Sequence, residues 1–308
     1  MEIHGITNSP DLILFAQHGW ADNSNAIATL SRSVATPKTL VIAPDLGYIA
    51  TWFRIQPLIE KLEQIATQII DRYPTTPIRI IGHSMGGLIW LELLNRHPEW
   101  WPLVEALVLV ASPIGGADLG RIIDPLGLGI GIARDLGINR RPIAQAIAQV
   151  IPTLIVAGDI DGGSDGTITV ESTKFCHAKF ISLPGLSHPV LKNHPTVAAV
   201  IRDFWLNPTI TKAIESDIST LLIQRLQSVM GMTDAHRRDF YRAKALMTFK
   251  GGVTILTWKH PLQINHVFVG DCESQCLYAG FVGLLHAQSL HKTLEEIQRE
   301  YNEHLLPL

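Results

Sequence analysis

A serine flanked by glycines is the residue of this chain whose surroundings point most directly to chemistry. Ser84 stands in Gly82-His83-Ser84-Met85-Gly86, which has the spacing Gly-x-Ser-x-Gly. A serine hydroxyl is a weak nucleophile until a base takes its proton, and such a base is usually a histidine oriented by a carboxylate. The sequence therefore predicts nucleophilic chemistry at Ser84 if a histidine and an aspartate reach it.

The elements that must position Ser84 are strands that alternate with helices. Continuous apolar runs predict six buried strands, at 12–16, 40–43, 78–81, 106–110, 154–157 and 180–183. Such alternation requires right-handed crossovers and a parallel sheet with helices on both faces, and the chemistry of such sheets collects at the carboxyl ends of the strands. Ser84 follows the third strand and precedes a helical run at 88–94, so it is predicted to lie on a sharp strand-to-helix turn.

The order of these motifs resembles the α/β-hydrolase family over about residues 10–206. His18-Gly19 follows the first strand, Gly-x-Ser-x-Gly follows the third, and an aspartate loop and then a histidine follow the later strands. The resemblance implies an α/β fold with a parallel sheet flanked by helices. It also implies esterase- or lipase-like serine hydrolase chemistry through a Ser-His-Asp triad, with no cofactor.

The resemblance makes His188 the candidate base, because it comes just past the sixth strand and before the last helix of this region. His194 is the alternative, although its position before Pro195 favours a role at the start of that helix. His83 is expected to point away from the serine side of the turn. His18 is expected to support its own loop.

The orienting carboxylate belongs to a loop that holds Asp159, Asp161 and Asp165. The resemblance favours an aspartate with a β-branched apolar residue three positions later, and Asp165 has Ile168 there. The pair Gly158 and Asp161 has another spacing that resembles the family, so Asp161 is the alternative acid. The remaining aspartates would accept backbone N–H bonds within a glycine-rich turn.

The resemblance also supplies an oxyanion hole, formed by the backbone N–H groups of Trp20 and Met85. Removing one such donor costs about 3–4 kcal/mol of transition-state stabilisation in a serine protease. The Trp20 indole fits two roles equally well, as a wall of the acyl pocket or as a core side chain.

Two parts of the chain fall outside this scheme. Residues 114–150 form a glycine-rich, apolar insertion, which predicts either a cap over the acyl pocket or a loop packed on the body. We place an α/β-hydrolase domain at 1–207 and a small α+β domain of unknown role at 208–308. Within the second domain the patterns predict helices at 210–230, 234–247 and 276–301 and strands at 253–258 and 264–269.

Composition narrows the classes of function. The formal net charge of -3 gives no reason to expect a nucleic-acid partner. An apolar run long enough to span a membrane is missing from the sequence, and the start of the chain does not resemble a signal peptide, so we expect a cytoplasmic protein without an integral membrane segment. The spacing of Cys272 and Cys276 near His260 and His266 is not that of a usual metal knuckle, so no metal site is expected.

The expected function is hydrolysis of a small-molecule carboxylic ester through an acyl-enzyme, and the expected substrate is a hydrophobic, lipid-like acyl ester. Acyl transfer, thioester cleavage and haloperoxidation use the same triad and are alternatives, because fold and triad do not fix the substrate. A binding or scaffold protein with a vestigial hydrolase body is a further alternative. An apolar stripe that includes Ile214, Ile218 and Leu222 suggests a protein partner or self-association through 208–308.

Overall fold

One mainly parallel sheet forms the centre of the molecule. The computed structural model describes residues 2–4, 9–116, 131–212, 217–261 and 263–306. In these ranges the sheet has the order β1-β3-β2-β4-β5-β6-β7, with β1 antiparallel to β3 and the others parallel. The strands are β1 Glu2–His4, β2 Leu12–Gln17, β3 Thr39–Ala43, β4 Ile78–His83, β5 Val104–Val110, β6 Thr153–Asp159 and β7 Lys179–Pro184. The six predicted strands and the parallel sheet are confirmed, and β1 is a strand that the apolar pattern did not predict.

Helices cover both faces of this sheet and create two cores. They are α1 Ser24–Val34, α2 Ile55–Arg72, α3 Met85–Arg96, α4 Ile132–Leu136, α5 Arg141–Ala148, α6 Val170–Thr173, α7 His188–Leu191 and α8 Pro195–Leu206. Phe15 packs with Trp90 of α3 in one core, whereas Leu14 packs with Phe204 of α8 in the other. Adjacent residues of β2 enter different cores because successive side chains of a strand point to opposite faces. Burial on both faces is the reason that the strands read as continuous apolar runs.

Part of the predicted insertion packs on the hydrolase body. Ile132 and Leu136 of α4 and Ala144 and Ile147 of α5 are buried in the core beneath α3. Residues 117–130 lie outside the described residues. A cap over the acyl pocket therefore stays a prediction.

A second sheet is separate from the first and entirely antiparallel. In the described residues it has the order β8-β12-β11-β10-β9. Its elements are α9 Ile218–Gln227, β8 Met232–Asp234, β9 Lys244–Thr248, β10 Thr254–Lys259, β11 Asn265–Gly270, β12 Cys276–Val282 and α10 Ala287–Glu300. Leu222 and Leu226 of α9 and Ile297 of α10 pack on one face of the sheet. We call residues 217–306 the C-terminal unit.

Three predictions for this unit are wrong in part. The predicted helix at 210–230 is helical only from Ile218, where Asp217 accepts a hydrogen bond from the Thr220 N–H at 2.8 Å, and residues 213–216 lie outside the described residues. The segment at 234–247 contains the end of β8, a 3-10 helix at Arg237–Arg242 and the start of β9. The first part of the predicted helix at 276–301 is strand β12, because antiparallel pairing with β11 and β8 outweighs a weak local preference.

The apolar stripe of α9 serves the unit itself. Leu222 and Leu226 are fully buried against the sheet of the same chain. Ile214 lies outside the described residues. The partner that the stripe suggested is therefore not needed to explain these two leucines.

A buried ion pair joins the C-terminal unit to the hydrolase body. Arg141 of α5 forms a salt bridge with Asp234 of β8, and both side chains are at least 95% buried, with exposed fractions of 5% and 1%. Arg141 also donates hydrogen bonds to the carbonyl oxygens of Glu171 and Lys174, both at 2.9 Å. The Tyr278 hydroxyl donates to Asp234 Oδ1 at 2.9 Å.

The protonation of this cluster follows from burial and the pair itself. Burial lowers the pKa of Arg141, but the charge of Asp234 and its hydrogen bond to Arg141 together outweigh burial, and the net pKa is raised. Burial, reinforced by the Asp234 charge, raises the pKa of Tyr278 well above its ordinary value. At neutral pH Arg141 is thus a charged guanidinium and Tyr278 a neutral phenol, and both contact Asp234.

Replacing Asp234 by alanine tests this junction. Asp234→Ala leaves the Arg141 charge buried without its partner, so we expect the free energy of unfolding to fall by about 3–5 kcal/mol in urea titrations. Glu303→Ala, at an exposed position of the same unit, is the control and should stay within about 0.5 kcal/mol of the wild type. Equal stability of the two variants would show that the junction does not depend on the pair.

Candidate active site

The turn between β4 and α3 holds Ser84 in a strained backbone conformation. Ser84 has φ 54° and ψ -125°, in the region that side-chain-bearing residues seldom adopt. Its N–H donates a hydrogen bond to the Val110 carbonyl at 2.8 Å, which ties the turn to β5. A Cβ atom added at Gly82 would lie 2.4 Å from the Gly87 Cα, so the tight turn requires glycine.

The loop after β2 lies directly against this turn. A Cβ atom at Gly86 would lie 2.3 Å from the Gln17 carbonyl oxygen. A Cβ atom at Gly19 would lie 2.8 Å from Ser84 Cβ and 3.3 Å from Ser84 Oγ. The two loops approach closely because both contact points are glycines.

His18 fixes the loop after β2 from within the core. The Leu46 N–H donates to His18 Nε2 at 3.0 Å, so Nε2 carries no proton. The proton therefore resides on Nδ1, which donates to the Gly19 carbonyl at 3.0 Å. Burial lowers the pKa of His18, in keeping with this neutral form. His18 lies where the sequence predicted it, within its own loop.

Trp20 and Met85 present backbone N–H groups near Ser84. Met85 is the first residue of α3, and Trp20 follows the glycine that touches Ser84. Neither N–H has a hydrogen-bond acceptor among the described residues. The Trp20 ring packs at the margin of the core and contacts Trp52, with ring centroids 4.4 Å apart.

His188 and Asp165 form a short side-chain hydrogen bond. The distance from His188 Nδ1 to Asp165 Oδ2 is 2.7 Å, and the His188 N–H also donates to the Asp165 carbonyl at 2.9 Å. The other carboxylate oxygen of Asp165 accepts from the N–H groups of Thr167 and Ile168, at 2.9 and 2.7 Å. Asp165 is 2% exposed, so this carboxylate is fixed by three donors in a water-poor environment.

The other two aspartates of the loop face different partners. Asp159 Oδ1 accepts from the N–H groups of Gly162 and Gly163, at 2.7 and 2.8 Å. Asp161 accepts from the N–H and the hydroxyl of Ser164, at 2.7 and 2.8 Å. Burial raises the pKa of Asp161, but these hydrogen bonds and the neighbouring His236 more than offset it, and the net pKa is lowered.

The remaining histidines near the turn have structural partners. His83 Nε2 lies 3.2 Å from the His188 carbonyl oxygen, and the rings of His83 and His188 are 4.8 Å apart. Because a carbonyl only accepts, His83 carries its proton on Nε2 and holds the backbone of His188. His194 Nδ1 accepts from the Thr196 N–H at 3.2 Å and caps α8.

The structure thus brings some predicted residues together and leaves one contact open. His188 pairs with Asp165, and Gly19 touches Ser84. Within the described residues Ser84 Oγ does not hydrogen-bond to the His188 ring. Catalytic hydrogen bonds are often long without substrate and tighten in the reacting complex.

Sequence reasoning missed a salt bridge that links two loops of the site. Lys192 Nζ lies 2.8 Å from Asp22 Oδ1, which connects the end of α7 to the segment after Trp20. No local pattern connects these residues, because they are far apart in the chain. Only the fold brings them into contact.

No metal cluster is formed by the described residues: they contain no group of three or more His, Cys, Asp or Glu side chains arranged to hold an ion. Cys176, Cys272 and Cys276 are free thiols. Burial raises the pKa of Cys276 to about 12, which disfavours the thiolate that a metal would require. Among the same residues, no helix combines the length and the apolar character needed to cross a bilayer.

A mainly parallel sheet with helices on both faces and a serine on the sharp turn after a central strand defines an α/β-hydrolase. The family model described as serine aminopeptidase, S33, matches residues 8–263, and the chain belongs to this family. The resemblance to α/β-hydrolases is confirmed. The match runs past Asn207 into the C-terminal unit.

Several solved structures are similar to this chain. The mature lipase BlEst2 of Bacillus licheniformis has 16% identity and a TM-score of 0.48, covering 67% of this chain and 95% of that one. Est1E of Butyrivibrio proteoclasticus, solved with ferulic acid, has 15% identity and a TM-score of 0.47, covering 67% and 94%. A thioesterase domain from the curacin biosynthetic pathway has 16% identity and a TM-score of 0.45, covering 67% and 93%. No curated protein matches the chain.

His83 makes stability near the site dependent on pH. Burial, and then the neighbouring His188, lower the pKa of His83 well below its ordinary 6.5. Below that pH the unfolded chain binds a proton that the folded chain does not, so the free energy of unfolding falls as the pH decreases. Between pH 7 and pH 5, the free energy of unfolding measured in urea titrations should fall by about 2 kcal/mol less in His83→Gln than in the wild type.

The control for this measurement is His291→Gln, on the exposed face of α10, where the side chain is 77% exposed. Its loss of stability between the two pH values should match that of the wild type. Parallel curves for the wild type and His83→Gln would contradict the buried, neutral state of His83.

Proposed function

We propose that this protein is a serine hydrolase that cleaves carboxylic esters, with Ser84 as nucleophile, His188 as base and Asp165 as the orienting acid. The observation that carries the proposal is the 2.7 Å hydrogen bond from His188 Nδ1 to Asp165. This bond fixes the proton on Nδ1 and leaves Nε2 free to accept the serine proton. Membership of a serine hydrolase family and the strained turn at Ser84 support the same assignment.

Acylation begins when His188 Nε2 takes the proton of Ser84 Oγ and the oxygen attacks the ester carbonyl carbon. The carbonyl π electrons move to the oxygen, and the N–H groups of Met85 and Trp20 are proposed to stabilise that oxyanion. Both N–H groups lack other acceptors among the described residues, so they are available for this purpose. The tetrahedral intermediate collapses, the alkoxide leaves with the proton from His188, and Ser84 carries the acyl group.

Deacylation repeats the sequence with water. His188 Nε2 takes a proton from water, and the hydroxide oxygen attacks the acyl-serine carbonyl. Collapse of the second intermediate breaks the bond to Ser84 Oγ, which recovers its proton from His188. The products are a carboxylic acid and an alcohol. Asp165 stays ionised throughout and stabilises the imidazolium of each step.

A hydrophobic acyl group is proposed because aromatic and aliphatic side chains are exposed beside Trp20. Trp52 contacts the Trp20 ring, and the Tyr48 ring lies 6.4 Å from that of Trp52. Ile49 and Phe53, on the same segment, are 72% and 65% exposed. An acyl chain that covers these side chains would remove apolar surface from water.

Replacing the nucleophile tests the proposal directly. Ser84→Ala should lower turnover of p-nitrophenyl butyrate by at least ~10⁴-fold, because no oxygen remains to form the acyl-enzyme. A fluorophosphonate should label the wild type at Ser84 and leave Ser84→Ala unlabelled. Ser33→Ala, at an exposed position of α1, is the control and should retain both ester turnover and fluorophosphonate labelling at Ser84. An unlabelled, inactive wild type would overturn the proposal, and faster turnover of an aminoacyl p-nitroanilide would favour amides over esters.

The acid is tested by two matched substitutions in one loop. Asp165→Asn should lower kcat by about 10⁴-fold, because an amide at this position disfavours the required His188 tautomer. Asp161→Asn should lower kcat by no more than about tenfold, since in the proposed mechanism Asp161 does not contact His188. The reverse ranking in the same p-nitrophenyl butyrate assay would transfer the acid role to Asp161.

A further inference from the structure

We propose that the C-terminal unit takes part in catalysis by holding the acid loop, residues 159–168, through the positioning residues His236 and Arg237. The inference rests on the proposed function, because it concerns how Asp165 is held against His188. It gives the C-terminal unit a role that the sequence did not reveal. Contacts across the junction between the unit and the hydrolase body produce this support.

The acid loop is a continuous series of short hydrogen bonds. Asp159 binds two glycine N–H groups, and Asp161 binds the N–H and hydroxyl of Ser164. The Ser164 hydroxyl oxygen in turn accepts from the Gly166 N–H at 3.1 Å, beside Asp165. A displacement of Asp161 is therefore passed along the loop to Asp165 through neighbouring bonds.

His236 reaches this series from the C-terminal unit. Its Nδ1 accepts from the Arg238 N–H at 2.9 Å, so the neutral ring carries its proton on Nε2. Nε2 lies 3.4 Å from Asp161 Oδ1. The ring edge thus lies within ion-pair distance of the carboxylate that organises the middle of the acid loop, although Nε2 makes no aligned hydrogen bond to it.

Arg237 lies against the glycines of the same loop. A Cβ atom at Gly162 would be 3.2 Å from Arg237 Nη2. A Cβ atom at Gly163 would be 3.3 Å from both Arg237 Nε and His236 Nε2. A methyl group at Gly163 would therefore meet both side chains closer than an ordinary contact, and they would have to shift by a few tenths of an ångström.

A cavity between the hydrolase body and the C-terminal unit lies beside these contacts and limits the packing that could support the acid loop. It has a volume of about 240 Å³ and is lined from the body by Gly162, Gly163 and Phe180 and from the C-terminal unit by Arg237 and Cys276. Where the two parts are separated by this cavity, they cannot support each other by packing. At the edge of this cavity the C-terminal unit approaches the loop through His236 and Arg237.

The buried ion pair places these side chains. Asp234, anchored to Arg141, lies two residues before His236, and the intervening Ala235 N–H donates to the Ala279 carbonyl at 2.9 Å. The start of the 3-10 helix is thus attached to both the sheet and the body. Rigid attachment at this point allows a contact with Asp161 to hold the loop rather than follow its motion.

Two variants test the inference: one removes the approach of His236 to Asp161, and the other inserts a methyl group between the acid loop and the C-terminal unit. In His236→Asn, the shorter side chain can still cap the Arg238 N–H but no longer reaches Asp161. In Gly163→Ala, a methyl group is inserted against Arg237 and His236. We expect each variant to lower kcat for p-nitrophenyl butyrate by roughly tenfold and to leave KM within about twofold, because a misplaced acid impairs the chemical step and not substrate binding.

The matched controls are His291→Asn on α10 and Gly283→Ala, where an added methyl group meets no atom within 4 Å. Both should retain the wild-type kcat. The rate of fluorophosphonate labelling of Ser84 should fall in the two test variants in parallel with kcat, while the final fraction labelled stays at the wild-type level. A merely structural effect would lower the labelled fraction and leave the rate for the folded molecules unchanged.

The outcomes separate this inference from the proposed function. If the wild type is labelled and active but both test variants keep its kcat and labelling rate, the positioning role is wrong. If their losses are explained entirely by a smaller labelled fraction, it is also wrong. If the wild type itself neither reacts nor turns over the ester, the proposed function is overturned and the inference falls with it.

Discussion

The close approach of two backbone loops at Ser84 is the constraint on which the rest of the site depends. Ser84 has a positive φ, and the segment after β2 touches it at a point where only glycine fits. A turn of this kind costs free energy, which packing of β4 into both cores and of α3 into one of them must offset. The serine oxygen and the free N–H groups of Trp20 and Met85 are brought together by the same approach. The proposed nucleophile and its proposed oxyanion donors are therefore consequences of one steric arrangement.

The pair formed by His188 and Asp165 depends on a different kind of support. Neither residue belongs to a strand, so their geometry is set by hydrogen bonds to neighbouring loops. Two backbone N–H groups fix the carboxylate, and His83 holds the carbonyl of His188. Loops that carry function need such support because they lack the ladder bonds of a sheet. This is the reason that contacts from the C-terminal unit to the acid loop bear on the proposed chemistry.

The junction of the two parts combines a buried ion pair with an open cavity. Arg141 and Asp234 are desolvated together, and a buried pair of this kind contributes little net stability compared with apolar packing. Its stronger effect is on geometry, because either charge without the other is very unfavourable. The pair thus fixes where β8 meets the body, and the side chains of the following residues then reach the acid loop across the edge of the cavity.

The sequence by itself determined the features that depend on covalent neighbours: the buried strands, the glycine-flanked turn at Ser84, and an aspartate loop ahead of His188. These follow from apolar runs, glycine positions and chain order, which are local properties. The cytoplasmic location, the domain boundary at 207 and the roles of the site residues stay predictions. The tertiary structure decided that Asp165 faces His188 while Asp161 faces His236, because side chains of one loop are sorted by partners distant in the chain. It also decided that residues 276–282 form a strand, since pairing with β11 outweighs a weak local preference.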